Sequence, residues 1–166
     1  MKQIEDSNMF HEIKRIKQVL SKEECIKILE EQLRGVLSLN GDDDYPYGMP
    51  LNHFYVQEEN RLYFHGGKFG YKMDCIKRDN KCSYCVMKDV GVHENGWARL
   101  FESVIVFGKI HFVEDKSEIA AIARKLSHKF TLDDTYIEHE IKQDLPQTAM
   151  YYIEIEHMTG KRVTER

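Results

Sequence analysis

Short strand-like segments separated by turns dominate this sequence and limit the folds open to it. Six segments combine β-branched and aromatic residues, and most are joined by connections too short to hold a helix. Short connections favour antiparallel pairing, because parallel neighbours require a long crossover. Regularly spaced strands with few long helices favour a barrel over a doubly wound fold. The predicted strands are 35–40, 45–56, 61–65, 81–88, 97–113 and 149–157.

Helix start signals occur at two places. Ser21 and Glu24 have the spacing of a capping box, and the helix that follows is predicted to end at Gly35. Asp115 is predicted to cap a second helix, whose apolar stripe runs from Ile119 to Phe130. A short helix is predicted near 136–141. The sequence thus predicts a mainly β fold with two to three flanking helices, formed as a single domain over residues 1–166.

Composition narrows the classes of function. The chain has 24 Lys and Arg against 28 Asp and Glu, a net charge of −4, and no long basic run, which argues against nucleic-acid binding. No apolar run approaches the length of a membrane span, and the first ten residues lack a signal-peptide core. We therefore expect a cytoplasmic protein with neither nucleic acid nor membrane as partner.

The four cysteines are expected to be reduced thiols, because disulfide frameworks are rare in cytosolic chains of this size. Cys82 and Cys85 form a C-x-x-C pair, and His93 follows, so a zinc site has to be weighed. The segment around the pair reads as a strand, however, and residues three apart on a strand point to opposite faces. We therefore predict no metal site.

The stretch 62–72, LYFHGGKFGYK, is the strongest candidate for a functional site. An aromatic-rich strand passes through three glycines into a helix-like segment, so free backbone N–H groups and a favourable helix dipole would face an anion. Two lysines would add counter-charge for a phosphate. An ordinary turn with solvated lysines explains the same residues. The candidate anion-binding residues are His65, Gly66, Gly67, Lys68 and Lys72.

Two prolines interrupt the predicted second strand. Pro46 and Pro50 cannot donate ladder hydrogen bonds, so this strand either lies at a sheet edge or loses pairing in its middle. Lost pairing would leave backbone groups of 49–52 free to bond the edge of a planar ligand.

Four segments occur in an order that resembles a known family. They are GVLSLN, YPYGMPLNHFY, LYFHGGKFGYKMDCI and RLFESVIVFGKIHFVED. Together they resemble the nitroimidazole-resistance family of FMN-binding split barrels, within the pyridoxamine-phosphate-oxidase-like superfamily. The resemblance covers roughly residues 12–160, and its most specific part is PxxxPLN followed by LYFHxxKxGxK and ESVIVFGK.

The resemblance implies a six-stranded antiparallel split barrel that forms a homodimer with FMN at the interface. Such a location is physically sensible, because a small barrel is filled by its own side chains and a flavin needs a second surface to cover it. His65 matches the family's functional histidine and is the candidate catalytic residue. The residues that would contact the flavin ring are Met49, Pro50, Leu51 and Asn52; those that would hold the phosphate are His65, Gly66, Gly67, Lys68 and Lys72; Ser103 is a further contact.

The family resemblance suggests an FMN-dependent oxidoreductase that reduces nitroaromatic compounds such as 5-nitroimidazoles. The chain has no G-x-G-x-x-G fingerprint, so a nicotinamide donor would have to dock transiently on the flavin. Two alternatives remain open at this point. One is a non-catalytic flavin-binding or flavin-storage protein, and the other is a haem-binding split barrel, for which the eight histidines single out no axial ligand.

Overall fold

A computed structural model describes residues 9–92, 94 and 96–163 of the chain. The described part contains four α-helices and seven strands in one sheet, every adjacent pair of which is antiparallel. The sheet order is β2-β1-β5-β6-β7-β4-β3. The helices are α1 (Lys22–Glu31), α2 (Tyr71–Arg78), α3 (Lys116–Ser127) and α4 (Asp134–Asp144). The strands are β1 (Arg34–Asn40), β2 (Pro46–Asn52), β3 (Phe54–Val56), β4 (Arg61–Gly67), β5 (Lys81–Val92), β6 (Arg99–Phe112) and β7 (Thr148–Val163).

The mainly β antiparallel class is confirmed, whereas the predicted count of six strands is wrong. The predicted strand 45–56 is divided at His53 into β2 and β3, which lie at opposite edges of the sheet. The backbone N–H of His53 leaves the ladder and donates to the carbonyl of Leu33 at 3.3 Å. The helix count is also corrected, because α1, α2, α3 and α4 exceed the two to three expected.

The sheet curls so that its two edges approach each other at His53. One residue separates the end of β2 from the start of β3, and consecutive Cα atoms lie only about 3.8 Å apart. No ladder joins β2 to β3 in the sheet that the structure describes, so the sheet is not closed. The architecture is therefore a barrel-like sheet with a gap, and β2, with its two prolines, is an edge strand.

Two apolar clusters lie on the two faces of this curved sheet. The inner cluster contains residues of β1, β4, β5, β6 and β7, and α1 adds Cys25, Ile28 and Leu29 to it. The outer cluster lies under α3, where Ile122 packs with Tyr63, Val113 and Met150. Helix α3 thus covers the outer face near β4, while α1 closes the interior.

The predicted caps form as expected, but α1 ends early. The Ser21 hydroxyl accepts from the Glu24 N–H at 3.2 Å, and the Glu24 carboxylate accepts from the Ser21 N–H at 2.7 Å. Asp115 accepts from the Glu118 N–H at 2.8 Å at the start of α3. Gln32 has extended backbone angles, because the chain must turn into β1 before it reaches Gly35.

His53 is fully buried at the gap and holds three elements together. Its Nε2 lies 2.7 Å from the Leu29 carbonyl, which can only accept, so Nε2 carries the proton. Its Nδ1 lies 2.9 Å from the Tyr84 hydroxyl, whose single proton is shared with the Leu51 carbonyl at 2.7 Å. Lys129 donates to the carbonyl oxygens of His53 and Gln32. Burial, aided by the charge of Lys129, lowers the pKa of His53 to about 4.

The cysteines carry free thiols. Cys82 is buried and Cys85 is exposed, which confirms that they face opposite sides of β5. The described ranges contain no group of three or more His, Cys, Asp or Glu arranged to hold a metal ion, and His93 lies outside them. Nor do they contain a helix with the length and apolar character needed to cross a membrane.

Because the pKa of His53 is lowered in the folded protein, we expect the free energy of unfolding to fall as the pH is lowered. The unfolded chain takes up the proton near pH 6.5 and the folded chain near pH 4, so neutral His53 contributes stability above pH 6.5 that is lost as the pH falls toward 4. We expect His53 to account for about 2 kcal/mol of lost unfolding free energy between pH 7 and pH 5. Urea titrations of the wild type and of His53→Gln at both pH values measure this.

The His53→Gln variant should be less stable at pH 7 and should lose about 2 kcal/mol less than the wild type on acidification. Gln57→Ala is the control, because it removes no ionisable group from an exposed turn, and it should leave the dependence of the unfolding free energy on pH as in the wild type. If the unfolding free energies of the wild type and of His53→Gln fell equally between pH 7 and pH 5, the lowered pKa of His53 would be contradicted.

Candidate functional site

The junction between β4 and α2 forms the centre of the candidate site. β4 ends at Gly67, a bend follows, and α2 begins at Tyr71 directly after Gly70. Gly70 has φ +112°, a value that residues with a Cβ rarely adopt. The first N–H groups of an α-helix have no partner within the helix and carry a positive partial charge. Gly70 therefore allows the turn that places the N-terminus of α2 beside the end of β4.

Lys72 places its amino group against Gly66. A Cβ added to Gly66 would lie 2.7 Å from Nζ of Lys72, so the glycine makes room for the ammonium group. Nζ lies 5.3 Å from the ring centroid of Tyr151, and no carboxylate of the described residues pairs with it. Burial lowers the pKa of Lys72. A half-buried ammonium without an anionic partner is unfavourable unless an anion joins it.

Tyr151 supplies an unused donor at the same place. Its hydroxyl is buried without a hydrogen-bond partner in the described structure, and it lies 3.9 Å from the position that a Gly66 Cβ would take. Burial raises the pKa of Tyr151, so the hydroxyl keeps its proton. Buried polar groups are nearly always paired in native proteins. The free hydroxyl and the unpaired ammonium together suit an oxyanion such as a phosphate.

His65 faces the other side of β4. It lines a cleft of about 290 Å³ between the sheet and helices α3 and α4, and Asn52 lines the same cleft. Its ring is still exposed at the cleft surface. Partial burial and the positive charge of Lys72 lower the pKa of His65, so the imidazole is mainly neutral at pH 7. Two predicted site residues from different strands are thus brought together.

The predicted ring contacts divide between the two faces of β2. Pro50 and Asn52 lie on the outer face, and Asn52 accepts from Nε of Arg34 at 2.8 Å. Met49 and Leu51 face inward and pack against the inner cluster. β2 pairs with β1 along its whole length, so the expectation of lost pairing near 49–52 is wrong. The backbone carbonyl of Leu51 already accepts from the Tyr84 hydroxyl at 2.7 Å.

Ser103 lies on the outer face of β6, opposite Met87 of β5. Apolar side chains surround this position and are exposed, among them Met87 at 63% and Ile105 at 38%. Further members of this outer apolar face are Val36, Cys85 and Phe107. The outer side of β2, β1, β5 and β6 therefore offers an apolar surface, with Pro50 and Ser103 on it.

Lys68 is placed differently from Lys72. Its amino group donates to the carbonyl of Pro146 and so ties the end of β4 to the turn Leu145–Gln147 after α4. The structure thus brings Gly66, Lys72 and Tyr151 together, whereas Lys68 lies in a neighbouring contact. Sequence reasoning missed Tyr151, and it also missed Glu140 and Asp144, which line the cleft with His65.

The acidic turn between β1 and β2 is structural. Asp42 pairs with Arg78 of α2 at 2.6 Å, and its backbone N–H donates to the Tyr71 hydroxyl at 2.7 Å. This turn anchors α2 from outside, which fixes the helix that carries Lys72.

Comparison with known proteins agrees with this architecture. The sequence model of the family described as pyridoxamine 5′-phosphate oxidase matches residues 21–162. The chain belongs to this pyridoxamine 5′-phosphate oxidase-like family. No curated protein sequence matches it significantly.

Several solved structures share the fold of this chain at low sequence identity. A proposed 5-nitroimidazole antibiotic resistance protein from Bacteroides thetaiotaomicron is 21% identical, with a TM-score of 0.71 over 87% of this chain and 86% of that one. An FAD-binding protein from Mesorhizobium loti is 23% identical, with a TM-score of 0.61 over 89% and 98%. An FAD- and haem-binding protein from Mycobacterium smegmatis is 16% identical, with a TM-score of 0.71 over 90% and 74%.

The electrostatic link between Lys72 and His65 predicts a measurable pKa change. Removing the ammonium in Lys72→Ala should raise the pKa of His65 toward 6.5, because one cause of its depression is lost. NMR titration of the histidine ring protons measures this shift. Lys77→Ala removes an exposed charge from the same helix and should leave the pKa of His65 unchanged. No shift in Lys72→Ala would show that the two side chains are not coupled.

Proposed function

We propose that this protein binds FMN and acts as an oxidoreductase on nitroaromatic or related small molecules. The single observation that carries the proposal is the ammonium of Lys72, unpaired and half-buried against Gly66, beside the unpartnered hydroxyl of Tyr151. A phosphate dianion would neutralise the first and pair the second. The FAD-binding proteins that share the fold support a flavin as the cofactor.

Each part of the cofactor has residues suited to it. Lys72, Gly66, Gly67 and Tyr151 would hold the phosphate, with backbone groups at the start of α2. Lys68 would either fix the end of β4 through its bond to the Pro146 carbonyl or leave that carbonyl and bind the phosphate. The isoalloxazine ring would lie on the outer side of β2, where Pro50 and Asn52 lie with the backbone of Met49 and Leu51, and Ser103 would meet it from β6.

The proposal includes a homodimer formed by a single domain over residues 1–166. The exposed apolar face around Val36, Met87, Ile105 and Phe107 supports it, because contiguous apolar patches mark interaction surfaces. A second copy on this face would cover the side of the flavin that one chain leaves open. Free thiols on all four cysteines fit the cytoplasmic location that we propose.

Bound flavin would supply the transfer of electrons to a nitro group or a similar acceptor. The chain's residues have separate tasks in this scheme. Lys72 would hold the phosphate of the cofactor. Neutral His65 offers an N–H to the oxygen of the acceptor, and its protonated form supplies the proton that reduction consumes. A phosphate beside Lys72 offsets the ammonium charge and raises the pKa of His65, which favours that proton transfer.

Lys72→Ala should weaken FMN binding by about 10- to 100-fold, the usual effect of losing a charge-assisted hydrogen bond. Quenching of flavin fluorescence on titration with the protein measures the dissociation constant, and Lys77→Ala serves as the matched control. Equal affinity in Lys72→Ala and the wild type would refute the phosphate assignment. A protein that stays colourless after FMN is added would refute the cofactor.

Turnover separates the enzyme from a storage protein. FMN-loaded protein, reduced with dithionite under anaerobic conditions, should be reoxidised by a 5-nitroimidazole, and His65→Asn should slow this step about 100-fold with FMN affinity nearly unchanged. Stopped-flow absorbance at the flavin band measures the rate. Yellow protein without reoxidation would favour the non-catalytic alternative, and a Soret band in the purified protein would favour haem.

A further inference from the structure

The cleft beside His65 has the size and lining of a small-molecule site. Its volume of about 290 Å³ fits one substituted aromatic ring, and it lies between the outer face of the sheet and helices α3 and α4. Six large apolar side chains belong to its wall. They are Leu126, Phe130, Ile137, Ile141, Leu145 and Met150.

Two carboxylates give the cleft a negative end. Glu140 and Asp144 lie one helical turn apart on α4, so their side chains share a face of the helix. No lysine or arginine of the described residues forms an ion pair with either. The other ionisable groups of the lining are His65 and Tyr136. Because the pKa of His65 is lowered, the imidazole adds little positive charge above pH 7.

Cations lie beside the cleft, but none of the lysines and arginines that the structure describes lines it. Nε of Arg34 donates to the side chain of Asn52, Nζ of Lys68 donates to the carbonyl of Pro146, and the charge of Lys72 acts on His65 from the other face of β4. Because two carboxylates belong to the lining and these cations do not, a positive group is the ligand that the cleft wall itself favours.

We infer that this cleft binds a small organic cation, with an apolar ring among the aliphatic side chains and an amine or amidine group toward Glu140 and Asp144. Cation binding is a property of the cleft alone. That the cleft selects the substrate rests on the proposed function, because His65 would then present the same molecule to the flavin. Preferred substrates would be ring compounds with a positively charged nitrogen.

Three probes of nearly equal shape test the inference. Benzamidinium, benzamide and benzoate differ mainly in charge, and their binding to the full chain at pH 8 is measured by ligand-observed NMR titration. Benzamidinium should bind at least about tenfold more tightly than benzamide, and benzoate should bind most weakly. Glu140→Gln and Asp144→Asn should each reduce this preference several-fold, and the double variant should abolish it.

Asp44→Asn is the matched control. It removes the same charge from an exposed turn, and asparagine tolerates the positive φ of 60° at that position. It should keep the full preference for benzamidinium. Equal affinity for all three probes, no binding of benzamidinium, or loss of preference in Asp44→Asn would each overturn the inference.

The test also separates this inference from the proposed function. Cation preference in a chain that binds no FMN would support the cleft and refute the flavin proposal. FMN binding without cation preference would support the flavin proposal and refute the inference about the cleft.

Discussion

The architecture depends on the passage of the chain across the gap in the sheet at His53. The strands on either side of this residue belong to opposite edges, so the sheet must remain curled as long as the chain is intact. The imidazole fills the gap with a group that can satisfy both the Leu29 carbonyl and the Tyr84 hydroxyl. An apolar residue of the same size would leave the Leu29 carbonyl without this partner, at a cost of about 1–3 kcal/mol, whereas the Tyr84 hydroxyl would keep its bond to the Leu51 carbonyl. Burial of a neutral histidine is thus part of how the two edges are held together.

Several elements were predictable because their causes are local. The caps at Ser21 and Asp115 involve residues three positions apart, and the structure confirms both. The division of the strand 45–56 was not predictable, because its cause lies in contacts from His53 to Leu29 and to Tyr84. α1 likewise stops at Glu31 because the chain must enter β1, which no local signal marks before Gly35. Sequence periodicity therefore located most elements but missed the gap.

The candidate site was likewise only partly predictable from the sequence. The glycines and Lys72 belong to one continuous stretch, and the positive φ of Gly70 is a local reason for glycine there. Tyr151 comes from β7 and meets that stretch through the pairing of Phe64 with it, a relation set by sheet order. Lys68 belongs to the same stretch as Lys72, yet it bonds Pro146, which is 78 residues away. Glycine and lysine spacing could thus indicate an anion site, but it could not show which lysine faces Gly66.

The alternation of side chains along β4 explains how one short strand can belong to both of the proposed binding sites. Successive residues of a strand point to opposite faces, so Gly66 opens toward Lys72 and Tyr151 while His65 faces the cleft under α3 and α4. The ammonium of Lys72 and the carboxylates of Glu140 and Asp144 therefore lie on different sides of the strand. Had Lys72 and Glu140 shared a face, they could have paired with each other, and neither charge would have remained for a ligand. The separation would leave the ammonium available for an anion on one side and the carboxylates available for a cation on the other, and His65, which precedes Gly66, lies on the side of the carboxylates.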